Sequence, residues 1–252
     1  FVMTNKYKYF VANWKMFGDI RSINSINKVI RLSKLKIFSK SKIVYCPPYT
    51  LLSRFVEKLK NTKIKVGAQN CHQAADNGPH TGFVNSKMLK NLKCKYVILG
   101  HSENRKNGEN DFLINKKIKS AIKNNLTVLF CIGENIKEKK QKKTKRVLSS
   151  QLGKGLKNIK NIKNVIVAYE PVWSIGTGII PTNDELLKNI LFIKNFIKKK
   201  FRYKNLKVLY GGSVNSKNVK NLREINQIDG FLIGGASQKV NKFIDIIKKT
   251  YN

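Results

Sequence analysis

Short apolar, β-branched runs recur along the chain and alternate with longer amphipathic stretches rich in lysine. Eight runs read as strands: Tyr9–Trp14, Lys42–Cys46, Ile64–Gln69, Tyr96–Gly100, Thr127–Gly133, Val165–Glu170, Lys207–Gly212 and Gly230–Gly235. Near-continuous apolar runs of this length suit parallel strands covered on both faces. The stretches between them carry a helical period. In Asp111–Asn125, a stripe of Phe112, Ile114, Ile118 and Ile122 predicts one buried face, with the lysines on the wet one. Asn183–Lys200 predicts a second long helix, with Asn183 as its N-cap and acids in its first turn.

Strand and helix alternating eight times predict parallel βα units. An open doubly wound sheet uses the same units but normally carries a glycine fingerprint after its first strand. Here that strand ends in Asn13-Trp14-Lys15. The prediction is an α/β fold, a single-domain (β/α)8 barrel over residues 1–252 with eight parallel strands ringed by helices. The 252 residues, 41% of them hydrophobic, suffice for one core of that size, and no Pro/Ser-rich linker divides them. In such a barrel the functional residues gather where strands end and βα loops begin.

Several strand ends carry groups that a plain structural end does not require. The first gives Asn13 and Lys15, which alone read as a turn residue and a surface lysine. The fourth gives His101, followed by Ser102-Glu103, where a helix N-terminus would favour neutral imidazole. The sixth gives Glu170, which Pro171 strands at the barrel mouth by ending the hydrogen-bond ladder. Val172–Gly178 then offers apolar residues and glycines, a suitable water-excluding cover in which Gly176 presents a bare N–H. A dinucleotide loop is rejected there, since Pro181 holds the third glycine position. The seventh and eighth strands end in Gly211-Gly212-Ser213 and Gly234-Gly235-Ala236-Ser237. Paired glycines let amides approach an anion, and a following helix start adds its dipole. Either pair alone is equally well an ordinary tight turn. Together, after strands seven and eight, they predict a phosphate site.

Charge changes this picture little. The formal net charge is +37, from 51 Lys+Arg against 14 Asp+Glu. A strongly basic surface suits nucleic acid. The lysines, however, lie on almost every helical segment, as in Lys139–Arg146 and Ile197–Lys200, without an aromatic platform or zinc-finger spacing. Mutational bias toward A/T-rich codons accounts for such a surface, and a nucleic-acid partner is kept only as a secondary possibility. The field favours anionic substrates in either case. Cys46, Cys71, Cys94 and Cys131 form no CxxC pair and read as reduced thiols of a cytoplasmic protein. The three histidines have no metal-ligand spacing, no stretch approaches membrane-spanning length, and the amino terminus lacks a signal-peptide core. Met3 is read as the initiator, with Phe1 and Val2 upstream of it.

The runs Asn13–Met16, Ile98–Glu103, Cys131–Glu134, Ala168–Gly178, Tyr210–Val214 and Gly234–Ser237 closely resemble those of the triosephosphate isomerase family, in family order and over nearly the whole chain. AYEPVW with IGTG is the most specific of them; YGGS alone is weaker. The resemblance implies interconversion of dihydroxyacetone phosphate and glyceraldehyde 3-phosphate, with no metal or cofactor. It implies Glu170 as the base and neutral His101 as the group that polarises the carbonyl oxygens and shuttles protons. Lys15 would hold positive charge against the enediolate and phosphate, Asn13 would donate to the same oxyanion, and Glu103 would support the site. Gly176, Ser213, Gly234 and Gly235 would grip phosphate under a lid from Pro171 to Thr177. The resemblance also implies a homodimer through the loop Gln69–Lys87, which contains His72, His80 and Thr81. Family members often have TGE where this chain has Thr81-Gly82-Phe83, and HSER where it has His101-Ser102-Glu103-Asn104. The joint absence of the acid and the Arg suggests a salt bridge lost whole, with Phe83 substituting packing. A different phosphate-binding barrel enzyme would share the glycine pairs but lack the Lys15, His101 and Glu170 set.

Overall fold

A computed structural model describes residues 7–251; the reading of Met3 as initiator lies outside them. Eight parallel strands run in chain order around a closed barrel. They are β1 (Lys8–Asn13), β2 (Ser41–Cys46), β3 (Lys65–Ala68), β4 (Tyr96–Leu99), β5 (Thr127–Ile132), β6 (Val165–Tyr169), β7 (Lys207–Tyr210) and β8 (Gly230–Ile233). Ten helices surround them: α1 (Asn27–Lys34), α2 (Leu52–Leu59), α3 (Ser86–Asn91), α4 (Ser102–Lys106), α5 (Asp111–Lys123), α6 (Ile136–Lys140), α7 (Thr144–Gly155), α8 (Asn183–Phe201), α9 (Val219–Arg223) and α10 (Val240–Tyr251). The expected barrel is therefore present. Strands β3 to β8 each end before the polar or glycine residues that sequence alone had joined to them, whereas β2 ends at Cys46 as expected and Asn13 closes β1.

Alternation along the strands sorts two cores. Val11, Val44, Ile98, Leu129, Ile166, Leu209 and Leu232 point into the barrel and fill it. Their neighbours Phe10, Ile43, Val97, Val128, Val167, Val208 and Phe231 face the helices and join a larger layer with helix residues such as Phe55, Leu152, Ile193 and Phe243. The β1–β8 pairing closes the ring, with Tyr9 opposite Gly230 and Ala12 opposite Ile233. At Gly230 a Cβ would lie 2.2 Å from the Tyr9 carbonyl oxygen, so the seam requires glycine.

Three local expectations are corrected. Phe112 is 68% exposed, while Ile114 and Ile118 are buried, so the stripe of α5 begins two positions later, at Ile114. The lysines of that helix are not all on the wet face. Lys117 is buried because Glu109 and Asn70 receive its ammonium between α5 and the loop after β3. The N-cap of α8 is Thr182, whose hydroxyl accepts from the Glu185 N–H at 3.2 Å; Asn183 is already helical. An unforeseen feature is Lys8, buried at the start of β1 with its ammonium donating to the Ile228 carbonyl.

Candidate active site

The strand ends converge on a cavity of about 280 Å³. Asn13, Lys15, His101, Glu170, Gly176, Ser213, Gly234 and Gly235 all line it. Glu103, the remaining predicted site residue, sits behind Lys15 and accepts its ammonium at 2.6 Å. A larger groove of about 550 Å³ along α2 and α3 is lined by lysines, Glu57 and aliphatic residues, and lacks a histidine.

Asn13 is held at the end of β1, and its Oδ1 accepts the Lys15 N–H at 3.0 Å. Lys15 adopts φ 56°, a left-handed conformation that costs energy for a residue with a Cβ. The strain is stabilised from the far side. Gln69, just beyond β3, donates to the Lys15 carbonyl at 2.8 Å and to the Cys46 carbonyl at 2.9 Å. The result aims the ammonium over the cavity. Burial pushes the Glu103 carboxyl up, but the Lys15 hydrogen bond and the nearby positive charges outweigh it and hold the group below its ordinary value. Glu103 therefore stays ionised as the partner of Lys15.

His101 caps α4, and its Nδ1 accepts the Glu103 N–H at 3.2 Å. A neutral ring must then carry its proton on Nε2, which faces the cavity. Glu170 Oε1 lies 3.6 Å from that nitrogen. Glu170 is 2% exposed, and its Oε2 accepts weakly from the Ser102 N–H at 3.4 Å. Oε1 has no hydrogen-bond partner. A buried carboxylate oxygen without a partner costs stability and points to chemistry. Burial, followed by the Glu170 charge alongside, pushes the Cys131 thiol well above its ordinary value, so it remains protonated and does not compete as a base. A Cβ on Gly211 would sit 2.7 Å from Glu170 Cγ, so that glycine provides room for the carboxylate.

The anion end is less uniform than the sequence suggests. After β8 a single 3-10 turn, Gly235–Gln238, follows at once. After β7 no helix begins until Val219, so the helix dipole expected there is absent. The Ser213 N–H donates to Ser174 Oγ at 3.3 Å, so this donor is already engaged with a hydroxyl. Lys239 and Lys242 line the rim and were not singled out from sequence, where each is one lysine among many. Gln69 was also missed as a site residue, although it terminates a predicted strand, and that position was its available signal. Gly211 was read as part of an anion-binding glycine pair, not as room for Glu170.

The family model described as Triosephosphate isomerase matches residues 8–250. The chain belongs to the triosephosphate isomerase family. It is 39% identical to the triosephosphate isomerase of Thermodesulfovibrio yellowstonii, over 96% of this chain and 98% of that one. It is 40% identical to that of Dictyoglomus thermophilum, again over 96% and 98%. The crystal structure of the Bartonella henselae triosephosphate isomerase superposes with a TM-score of 0.88 at 34% identity, covering 98% of this chain and 100% of the other. As a triosephosphate isomerase, the chain interconverts dihydroxyacetone phosphate and glyceraldehyde 3-phosphate. These matches give no support to the nucleic-acid reading. Among the described residues no group of three or more His, Cys, Asp and Glu side chains is placed to hold a metal ion. No helix among them is long and apolar enough to cross a membrane.

Proposed function

We propose that the cavity is the isomerase site, with Glu170 as base, His101 as proton donor, and Lys15 and Asn13 as the groups that stabilise the oxyanion. The observation that carries the assignment is the unpartnered, buried Glu170 Oε1 beside His101 Nε2. Glu170 removes a proton from the carbon next to the substrate carbonyl. The Nε2–H of His101 meanwhile donates to the carbonyl oxygen, giving an enediolate. His101 moves a proton between the two oxygens, and Glu170 returns its proton to the neighbouring carbon. A glutamate base paired with a neutral histidine is the established pattern of this family. Lys15 opposes the negative charge on both enediolate and phosphate, and Glu103 holds Lys15 in place. Gly176, Ser213, Gly234 and Gly235 supply backbone donors to the phosphate. Residues 171–177 close over it, which protects the enediolate from losing its phosphate.

A coupled assay on glyceraldehyde 3-phosphate tests the assignment. Glu170→Asp is expected to fold normally and to lose roughly two orders of magnitude in turnover, because the carboxylate retreats by about 1 Å. Unchanged turnover would remove Glu170 from the base role.

The same reading makes the chain one domain and a cytoplasmic homodimer. Support for the dimer is the apolar surface left on this single chain, where Met16 is 95% exposed, Phe17 61% and Phe83 63%. Phe83 packs on His72 within the loop 69–87, with ring centroids 4.9 Å apart. Support for a reducing compartment is that all four cysteines are free and buried. Sedimentation of the purified chain as a monomer at micromolar concentration would overturn the dimer.

A further inference from the structure

Trp173 stands near the start of the cover over the cavity, three residues past Glu170, and the surroundings of that indole are more elaborate than packing requires. Its Nε1–H donates to Glu134 Oε1 at 3.0 Å, and Glu134, fully buried, also receives the Tyr169 hydroxyl at 3.1 Å. The Lys139 ammonium stands 3.5 Å above the centre of the indole ring. That separation is short for a cation over an aromatic face. The same ammonium lies 2.9 Å from Glu185 Oε1 and 3.0 Å from Oε2. Lys139 is on α6 and Glu185 in the first turn of α8, so one charge connects two helices to the base of the cover. A second link runs from α8, where Asn189 donates to the Tyr169 hydroxyl at 2.9 Å.

Helix α6 is itself fixed. Asn135 and Glu138 form a reciprocal cap at its N-terminus, so the backbone that presents Lys139 does not drift. The side chains of Lys139 and Glu185 are only 29% and 32% exposed, which keeps the pair from dissolving into solvent like a typical surface ion pair. The next residue, Ser174, is buried as well, donates to the Ile179 carbonyl at 2.5 Å and shares a hydrogen bond with the Tyr210 hydroxyl at 3.0 Å. Gly176 and Gly178 both have positive φ and open space around their α-carbons. The start of the cover is clamped, and its turn at Gly176–Gly178 has room around it, held by Thr177 Oγ1, which donates to the Trp173 and Ser174 carbonyls at 3.2 Å.

We propose that Lys139 is a positioning residue for this lid. It holds Trp173 against α8 through Glu185, so that the turn at residues 175–178 closes onto the phosphate from an anchored base. The inference rests on the lid assigned above. Without the pin the lid closes less accurately, and two readouts follow. Turnover falls because the donors under the lid are misaligned. The enediolate also leaks: its oxyanion electrons form a carbonyl, the C–C double bond shifts, and the C–O bond to phosphate breaks with its electron pair. Inorganic phosphate and the enol of methylglyoxal are released.

The experiment compares Lys139→Met, Lys139→Arg and Glu185→Gln with the unaltered enzyme. Lys139→Met is expected to lose about tenfold in kcat and to release several-fold more inorganic phosphate per isomerisation, with an unchanged thermal midpoint. Lys139→Arg retains both the ring contact and the ion pair and stays within about twofold of the unaltered enzyme. Glu185→Gln moves in the direction of Lys139→Met, but less far. Indole fluorescence is titrated with glycerol 3-phosphate, the reduced and unreactive form of the substrate. The unaltered enzyme responds and Lys139→Met responds only weakly. No response in the unaltered enzyme would sink the lid reading itself. A normal response, kcat and phosphate release in Lys139→Met would overturn the role of Lys139 alone.

Discussion

Glu170, the proposed base, sits in a space that its neighbours define. Gly211 is the sharpest case, because the missing Cβ would stand 2.7 Å from Glu170 Cγ. Gly211→Ala is expected to lower kcat by at least about tenfold with little change in KM, since it displaces the base and leaves the phosphate donors in place. Steady-state kinetics would check this, and an unchanged kcat would show that the carboxylate has slack. His101 is fixed as neatly from the other side. The Glu103 N–H occupies its Nδ1 and leaves Nε2 toward the cavity. This level was largely legible in the sequence, because the chemistry-bearing residues stand at strand ends. Room for Glu170 was not, since it depends on a glycine from the next strand.

At the level of elements, the lysine-rich helices divide into wet lysines and a few with structural duties. Lys117 on α5 and Glu109 are 9% and 12% exposed as side chains, and Asn70 bridges them from the loop after β3. Lys117→Met strands the Glu109 charge, whose Oε2 already lacks a partner. The expected loss is about 3–5 kcal/mol in urea unfolding, with most of it recovered in the Lys117→Met, Glu109→Leu double variant. A loss below about 1 kcal/mol in the single variant would mean that water reaches the pair. At α8, Thr182→Ala is expected to cost about 1 kcal/mol and Asn183→Ala far less, which urea melts can separate. Helical periodicity gave α5 and α8 their positions and lengths. It could not single out Lys117 among similar lysines, because its partners come from sequence positions 8 and 47 residues away.

Over the whole molecule, the +37 charge acts through its field. The cavity mouth carries Lys15, Lys239 and Lys242 on a surface already basic, and the substrate is an anion. We predict that kcat/KM falls several-fold as ionic strength rises from about 0.01 to 0.3 M, while kcat holds, because the Debye length shortens from about 30 Å to below 10 Å. A flat kcat/KM would mean that the lysine load is merely tolerated. The same charge opposes self-association, so a dimer built on Met16, Phe17 and Phe83 is expected to tighten with salt, which sedimentation can follow.

The sequence by itself determined the barrel, the order of its strands and which strand ends carry the residues proposed to react. Buried parallel strands leave a local signature of continuous apolar runs, and the fold sends their ends to one face. Only the tertiary structure decided that Glu170 Oε1 lies unpartnered beside His101 Nε2. It also placed Gln69 under Lys15 and Lys139 over Trp173. Each of these is a contact between loops or helices from separate βα units. Its energy depends on distances of a few ångströms that no local pattern encodes.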